Sequence, residues 1–185
     1  MQILDTEFPD VKILCHDGRT DSRGVVDITI DSGGLSEHGI AFLCAEQRIY
    51  HIPRKGTFFG IHFQTGKHPQ DKLIQLLSGR GLDYVIDLRK HSATYRNYII
   101  IELNGGDKKS VYIPRGYGHA FLSLEDNTTQ LFSVSEKSFS GESRTIRYDD
   151  PQIELPIPIT ISAISDQDKC APLLSEIEND MLQLT

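Results

Sequence analysis

Four residues have the types needed to move a proton from carbon: His62 in "GIHFQ", Lys72 in "KLIQLL", His119 in "YGHAF" and Asp168 in "SDQD". A neutral histidine accepts such a proton when its pKa lies near the working pH. A carboxylate behind it fixes the imidazole tautomer and stabilises the imidazolium. Lysine or a second histidine holds the oxygen that turns negative as an enolate forms. The chemistry expected of this set is proton abstraction next to a carbonyl. Each residue alone has a plainer reading. A lone histidine is usually a hydrogen-bonded core or surface residue, and a lysine at a strand start is usually solvated. The combination points to catalysis.

Strands must position these groups. In "FFGIHFQ", strict alternation puts Phe59, Ile61 and Phe63 on one face and Phe58, Gly60, His62 and Gln64 on the other. The second face is partly polar, as expected if it lines a ligand cavity inside a closed barrel. The stretches "KLIQLLSGRGLDYVIDLR", "NYIIIELNGGDKKSVYIP" and "AFLSLEDNTTQLFSVSEK" each place two β-prone apolar runs around a turn signal, "SGRG", "NGGDKK" and "EDNTT". That cadence predicts a sandwich or barrel. "PLLSEIENDMLQL" alone has helical spacing, with Leu173, Leu174, Ile177, Met181 and Leu184 on one face and Pro172 at the start. The preceding "DDPQIELPIPITISAISDQD" is proline-rich and expected to be extended. No repeat, low-complexity segment or linker interrupts the chain. The expectation is one all-β domain over residues 1–185, a β-sandwich with a short C-terminal helix.

The totals restrict the function. A chain of 185 residues with 38% hydrophobic and 24% charged content fits a globular protein. A net charge of −7 argues against nucleic acid as a partner, yet leaves room for a small anion held by a few arginines and backbone amides. No apolar run is long enough for a membrane span, and "MQILDTEFPD" does not read as a signal peptide. Cys15, Cys44 and Cys170 are far apart and odd in number, so they read as reduced thiols of a cytoplasmic protein.

The motifs "GIHFQ", "QDKLIQ", "VIDLRKHSATY", "YIPRGYGHAF" and "ISDQDKCAPLL" occur in the order, and near the spacing, of a known family. Between "DSRG" at 21–24 and "APLL" at 171–174, the chain resembles the dTDP-4-dehydrorhamnose 3,5-epimerases, nucleotide-sugar epimerases of deoxysugar and surface polysaccharide biosynthesis. The resemblance implies a cupin-type jelly roll, a homodimer, and no metal or nicotinamide cofactor. It makes His62 the catalytic base, Asp168 its carboxylate partner, Lys72 the cation near the substrate ketone and His119 a second active-site histidine. It makes Arg23 a contact to the nucleotide diphosphate and Gln47 a wall of the nucleotide site. A bidentate arginine suits a diphosphate.

Some positions depart from the family pattern. Phe59 stands where the family has arginine, and Ile49 where it has asparagine. Phe132 stands where the family has a tyrosine that protonates the opposite face of the enolate, and phenylalanine has no proton to give. Tyr117, Tyr148 and Ser133 are the candidate replacement donors. "KSFSG" replaces the family's aromatic pair. The expected function is epimerisation of a nucleotide-linked 4-keto-6-deoxy sugar at C3, C5 or both. The alternatives are a keto-isomerase, favoured by a missing opposite-face acid, and a sugar-nucleotide-binding module. A metal-dependent cupin using His62, His68 and His119 is a weaker alternative, because Gln64 stands where the usual second histidine of a His-x-His pair would be.

Overall fold

The computed structural model describes residues 1–178. In chain order the strands are β1 (Gln2–Asp5), β2 (Lys12–Cys15), β3 (Gly18–Asp21), β4 (Gly24–Asp27), β5 (Glu46–Ile52), β6 (Phe58–Gln64), β7 (Lys72–Ser78), β8 (Arg80–Asp87), β9 (Tyr98–Asn104), β10 (Lys109–Ile113), β11 (Tyr117–Ser123), β12 (Thr128–Val134) and β13 (Ser143–Thr145). The helices are α1 (Ser32–Glu37), α2 (Asp166–Lys169) and α3 (Leu174–Ile177).

The strands form a six-stranded sheet, β1-β2-β10-β7-β12-β5, and a five-stranded sheet, β13-β6-β11-β8-β9; β3 and β4 pair only with each other. Ile74, Leu76 and Val111 of the larger sheet meet Val85, Ile99 and Phe121 of the smaller one in a common core. The outer face of the smaller sheet carries Phe58, Ile61, Tyr84 and Leu122, covered by Ile153, Leu155 and Leu174 from the C-terminal segment. Leu35, Ile40 and Phe42 cover Leu14 and Leu73 on the outer side of the larger sheet. Covered faces on both sides explain why β11 is buried throughout. This is the expected all-β, jelly-roll sandwich.

The three strand–turn–strand stretches form as strands, but their turns are not hairpins. Each turn passes from one sheet to the other: β7 to β8, β9 to β10 and β11 to β12. β7 pairs instead with β10 and β12, and β8 with β9 and β11. Two facing sheets each need a buried side, and crossing between them supplies it. Gly79 makes one such corner at φ +77°, where a Cβ would lie 2.8 Å from the Thr128 Cα.

The alternation expected for β6 also fails. His119 of β11 faces His62, whereas Phe121 faces Phe59, so β6 carries one residue more than β11 between these pairs. This bulge reverses the faces on either side of Gly60. Phe58, Ile61 and Phe63 therefore join the outer core, and Phe59 turns to the cavity side with His62.

The proline-rich segment is extended, and its isoleucines 153, 157, 159, 161 and 164 pack on the smaller sheet. It is fastened to the edge beside β6: the Phe58 amide donates to the Ala163 carbonyl at 2.8 Å and the Ser162 amide to the Gly56 carbonyl at 2.8 Å. The C-terminal helix begins one residue beyond Leu173, with Leu174 buried. The buried Asp150 accepts from the Leu174 amide at 2.6 Å. Of the predicted apolar helix face, Met181 and Leu184 lie outside the described residues.

Candidate active site

β6 carries His62, and α2 carries Asp168 against it. Ser165 caps α2, its hydroxyl accepting from the Asp168 amide at 3.0 Å. His62 Nε2 and Asp168 Oδ1 are 2.6 Å apart, and the Gly60 amide donates to the other oxygen, Oδ2, at 3.2 Å. Gly60 lies at φ +117°, and a Cβ there would sit 2.7 Å from the Ala120 Cα, so only glycine fits the bulge. Burial pushes the Asp168 carboxyl up. The bonds from His62, Gly60 and Ser165 and the His62 charge outweigh it and hold the group below the usual carboxylate range. An ionised Asp168 places the imidazole proton on Nε2 and leaves the Nδ1 lone pair to accept one. The His62 side chain is 43% exposed, enough to meet a ligand.

A cavity of about 350 Å³ opens beside this dyad, between the two sheets, the size of a small-molecule site. His62, Phe59, Lys72, His119 and Phe132 all line it. Lys72 is 3% exposed. Burial lowers its pKa to about 8, against the raising effect of the Asp71 charge. Asp71 itself is engaged by Arg115. His119 is buried, with Nε2 3.1 Å from Oδ1 of the fully buried Asp83. His62 thus shares one cavity with the predicted cation and second histidine, and Asp168 stands behind it in an adjoining recess.

Two predicted nucleotide contacts do not reach it. Arg23 sits on the exposed β3–β4 hairpin, its side chain 88% exposed and paired with Asp21. Gln47 lies on the outer face of β5 and donates to the Ser133 hydroxyl at 3.0 Å. The pleat of β5 instead turns Arg48 and Tyr50 inward. Both were missed in the sequence, because "EQRIYHI" alternates without an apolar face that would orient it. Gln130 was missed as well; it lines the cavity, and its buried Nε2 has no partner among the described residues.

The candidate replacement donors are elsewhere. The Tyr117 hydroxyl is directed to Asp10 and Arg89, Tyr148 packs on Phe58, and Ser133 is held by Gln47. Gln64 is a clamp for the cavity rim rather than a ligand group: its amide donates to the Lys137 carbonyl at 3.1 Å and accepts from the Phe139 amide at 3.0 Å. His68 is bound by Glu142 and stacked on Phe139, apart from His62. Among the described residues no cluster of three or more His, Cys, Asp or Glu side chains is arranged to hold a metal.

The family model for dTDP-4-dehydrorhamnose 3,5-epimerase matches residues 5–176. The chain belongs to this epimerase family. It is 32% identical to the dTDP-4-dehydrorhamnose 3,5-epimerase of Mycolicibacterium smegmatis over 86% of this chain and 79% of that protein. The 3,5-epimerase structure from Legionella pneumophila, in complex with dTDP-4-keto-L-rhamnose, superposes with a TM-score of 0.91 at 25% identity, covering 100% of this chain and 98% of that one. A 3'-monoepimerase from Streptomyces bikiniensis, in complex with dTDP-quinovose, gives a TM-score of 0.86 at 25% identity over 97% of this chain and 91% of that one. Membership in this epimerase family makes the protein an isomerase. No helix among the described residues is long and apolar enough to cross a membrane.

Proposed function

We propose that residues 1–185 act as one epimerase domain on a nucleotide-linked 4-keto-6-deoxy sugar, inverting C3, C5 or both. The observation that carries this reading is His62, held by Asp168 at 2.6 Å from behind, facing a cavity that it shares with Lys72 and His119. The 4-ketone acidifies the neighbouring C–H bonds. His62 takes such a proton, and Asp168 stabilises the imidazolium. Lys72 and His119 hold the enolate oxygen. Arg144, half-buried in the cavity wall, supplies positive charge for a diphosphate. The reaction needs no metal or nicotinamide.

The same reading includes a cytoplasmic homodimer. A two-stranded hairpin is marginal alone, and β4 exposes Val25 by 56% and Val26 by 67%. A second copy would cover them. Arg23, on this hairpin, then serves the neighbouring subunit's nucleotide.

The test is proton NMR in D₂O with 4-keto-6-deoxy sugars on dTDP, CDP and GDP. Deuterium entering C3 or C5 with inversion is the expected result. His62→Ala should abolish exchange. Exchange without inversion would favour the keto-isomerase, and binding without exchange would favour the non-catalytic module.

A further inference from the structure

Inversion needs an acid on the face of the enolate opposite the base. His62 belongs to the smaller sheet, so that acid must come from the larger sheet across the cavity. Phe132 occupies part of that wall and has no hydroxyl. Resting on the epimerase reading above, we propose that Tyr50 of β5 is the proton donor of this enzyme, positioned by Arg48.

Tyr50 lines the cavity together with His62, and also lines the adjoining recess that reaches Asp168. Its ring packs edge-on against Phe59 of β6 at 5.6 Å and against Phe132 of β12 at 5.8 Å. These contacts fix the phenol between the two sheets, so a sugar ring lodged there presents one face to His62 and the other to Tyr50. Ser138, Ser143 and Thr145 also line the cavity, but an alkyl hydroxyl is a far weaker acid than a phenol. Ser138 accepts from Arg48 at 3.0 Å and Ser143 donates to Gln64 at 3.2 Å.

Arg48 is the neighbour that suits a phenol which must release its proton. It lines the same cavity, pairs with Glu46 and stands two residues before Tyr50 on the inward face of β5. Burial works against its charge, and Glu46 and Tyr50 more than offset that. A guanidinium there stabilises the phenolate left after transfer. The step balances without a further reactant. The C–H bond breaks and its proton goes to His62, leaving the enolate. The Tyr50 O–H bond then breaks and its proton joins the same carbon from the other face. His62 returns its proton to water, and the phenolate regains one from water.

The experiment compares the wild type and Tyr50→Phe on dTDP-4-keto-6-deoxyglucose in D₂O, reading exchange and inversion separately by NMR. Tyr50→Phe should still take up deuterium at the wild-type carbon, because His62 can return a solvent-derived proton on its own face. Inversion should fall about 10²- to 10⁴-fold, the usual worth of a general acid. Adding Phe132→Tyr to that variant should restore part of the inversion from a neighbouring position on the same wall. Inversion at the wild-type rate in Tyr50→Phe would overturn the assignment. Parallel loss of exchange and inversion would overturn it too, by making Tyr50 a binding or packing residue. A wild-type protein that neither exchanges nor inverts would instead overturn the epimerase reading itself.

Discussion

His62 and Asp168 are separated by 106 positions in the chain, yet their side chains lie 2.6 Å apart. The pair joins a strand of the smaller sheet to a one-turn helix delivered by the C-terminal segment. Each carboxylate oxygen has its own donor, His62 on one and Gly60 on the other.

Replacing Asp168 with Asn should lower kcat about 10²- to 10⁴-fold, because the amide neither fixes the Nε2–H tautomer nor stabilises the imidazolium. Nucleotide binding, measured by calorimetry with dTDP, should change little. A near-normal turnover rate would refute the dyad. The folded-state pKa of Asp168 is depressed. Its contribution to stability is therefore present above the unfolded carboxylate pKa and lost as pH falls through the folded value. Asp168→Asn should flatten the acid side of a stability–pH curve measured by urea denaturation.

Lys72 sets the opposite limb. Its pKa is lowered to about 8 by burial. If its cation holds the enolate oxygen, exchange should decline as pH rises through about 8. A folded pKa below the unfolded value of about 10.4 means that the buried charge opposes folding at lower pH. That opposition is relieved between these two values, so stability from this group rises with pH while activity falls. Lys72→Met should lower kcat about 10²- to 10³-fold with an equal or higher Tm. An unchanged alkaline limb in this variant would remove Lys72 from the mechanism.

Gln130 offers a separation of binding from stability. Its Nε2 is buried without a partner in the described residues, a state that costs about 1–3 kcal/mol. Gln130→Leu should stabilise the ligand-free protein in urea denaturation and raise KM with little change in kcat. A destabilised variant with normal KM would mean that this amide serves the fold, not the ligand.

The strands that build the cavity were legible because β7, β8, β11 and β12 are rich in Ile, Leu, Val, Tyr and Phe between turn residues. Where each turn led was not, since the choice between hairpin and crossing depends on which sheet offers a free edge. The bulge at Gly60 was hidden for a similar reason: alternation reads straight through "FFGIHF", and only the pairing with β11 exposes the extra residue. His62, Lys72, His119 and Asp168 were found from their chemistry and family motifs, and the fold gathers them. Arg23 and Gln47 carried the same motif support, yet the hairpin and the outer face of β5 hold them away from this chain's cavity. Arg48 and Tyr50 could have been noticed as a cation and a phenol on alternate positions of one strand, but nothing local says which way that strand faces.

The attachment of the segment around Ser162 and Ala163 beside β6 has a consequence for how the protein could be silenced. The sheets do not depend on α2 for their pairing, whereas the imidazole depends on it for its carboxylate. Peeling only the stretch from Ser162 to Asp168 from the edge would break few backbone bonds, leave Ile153, Leu155 and Leu174 over the smaller sheet, and strip the base of its counter-charge. Hydrogen exchange at Phe58 and Ser162 would therefore report how often the enzyme is folded but switched off.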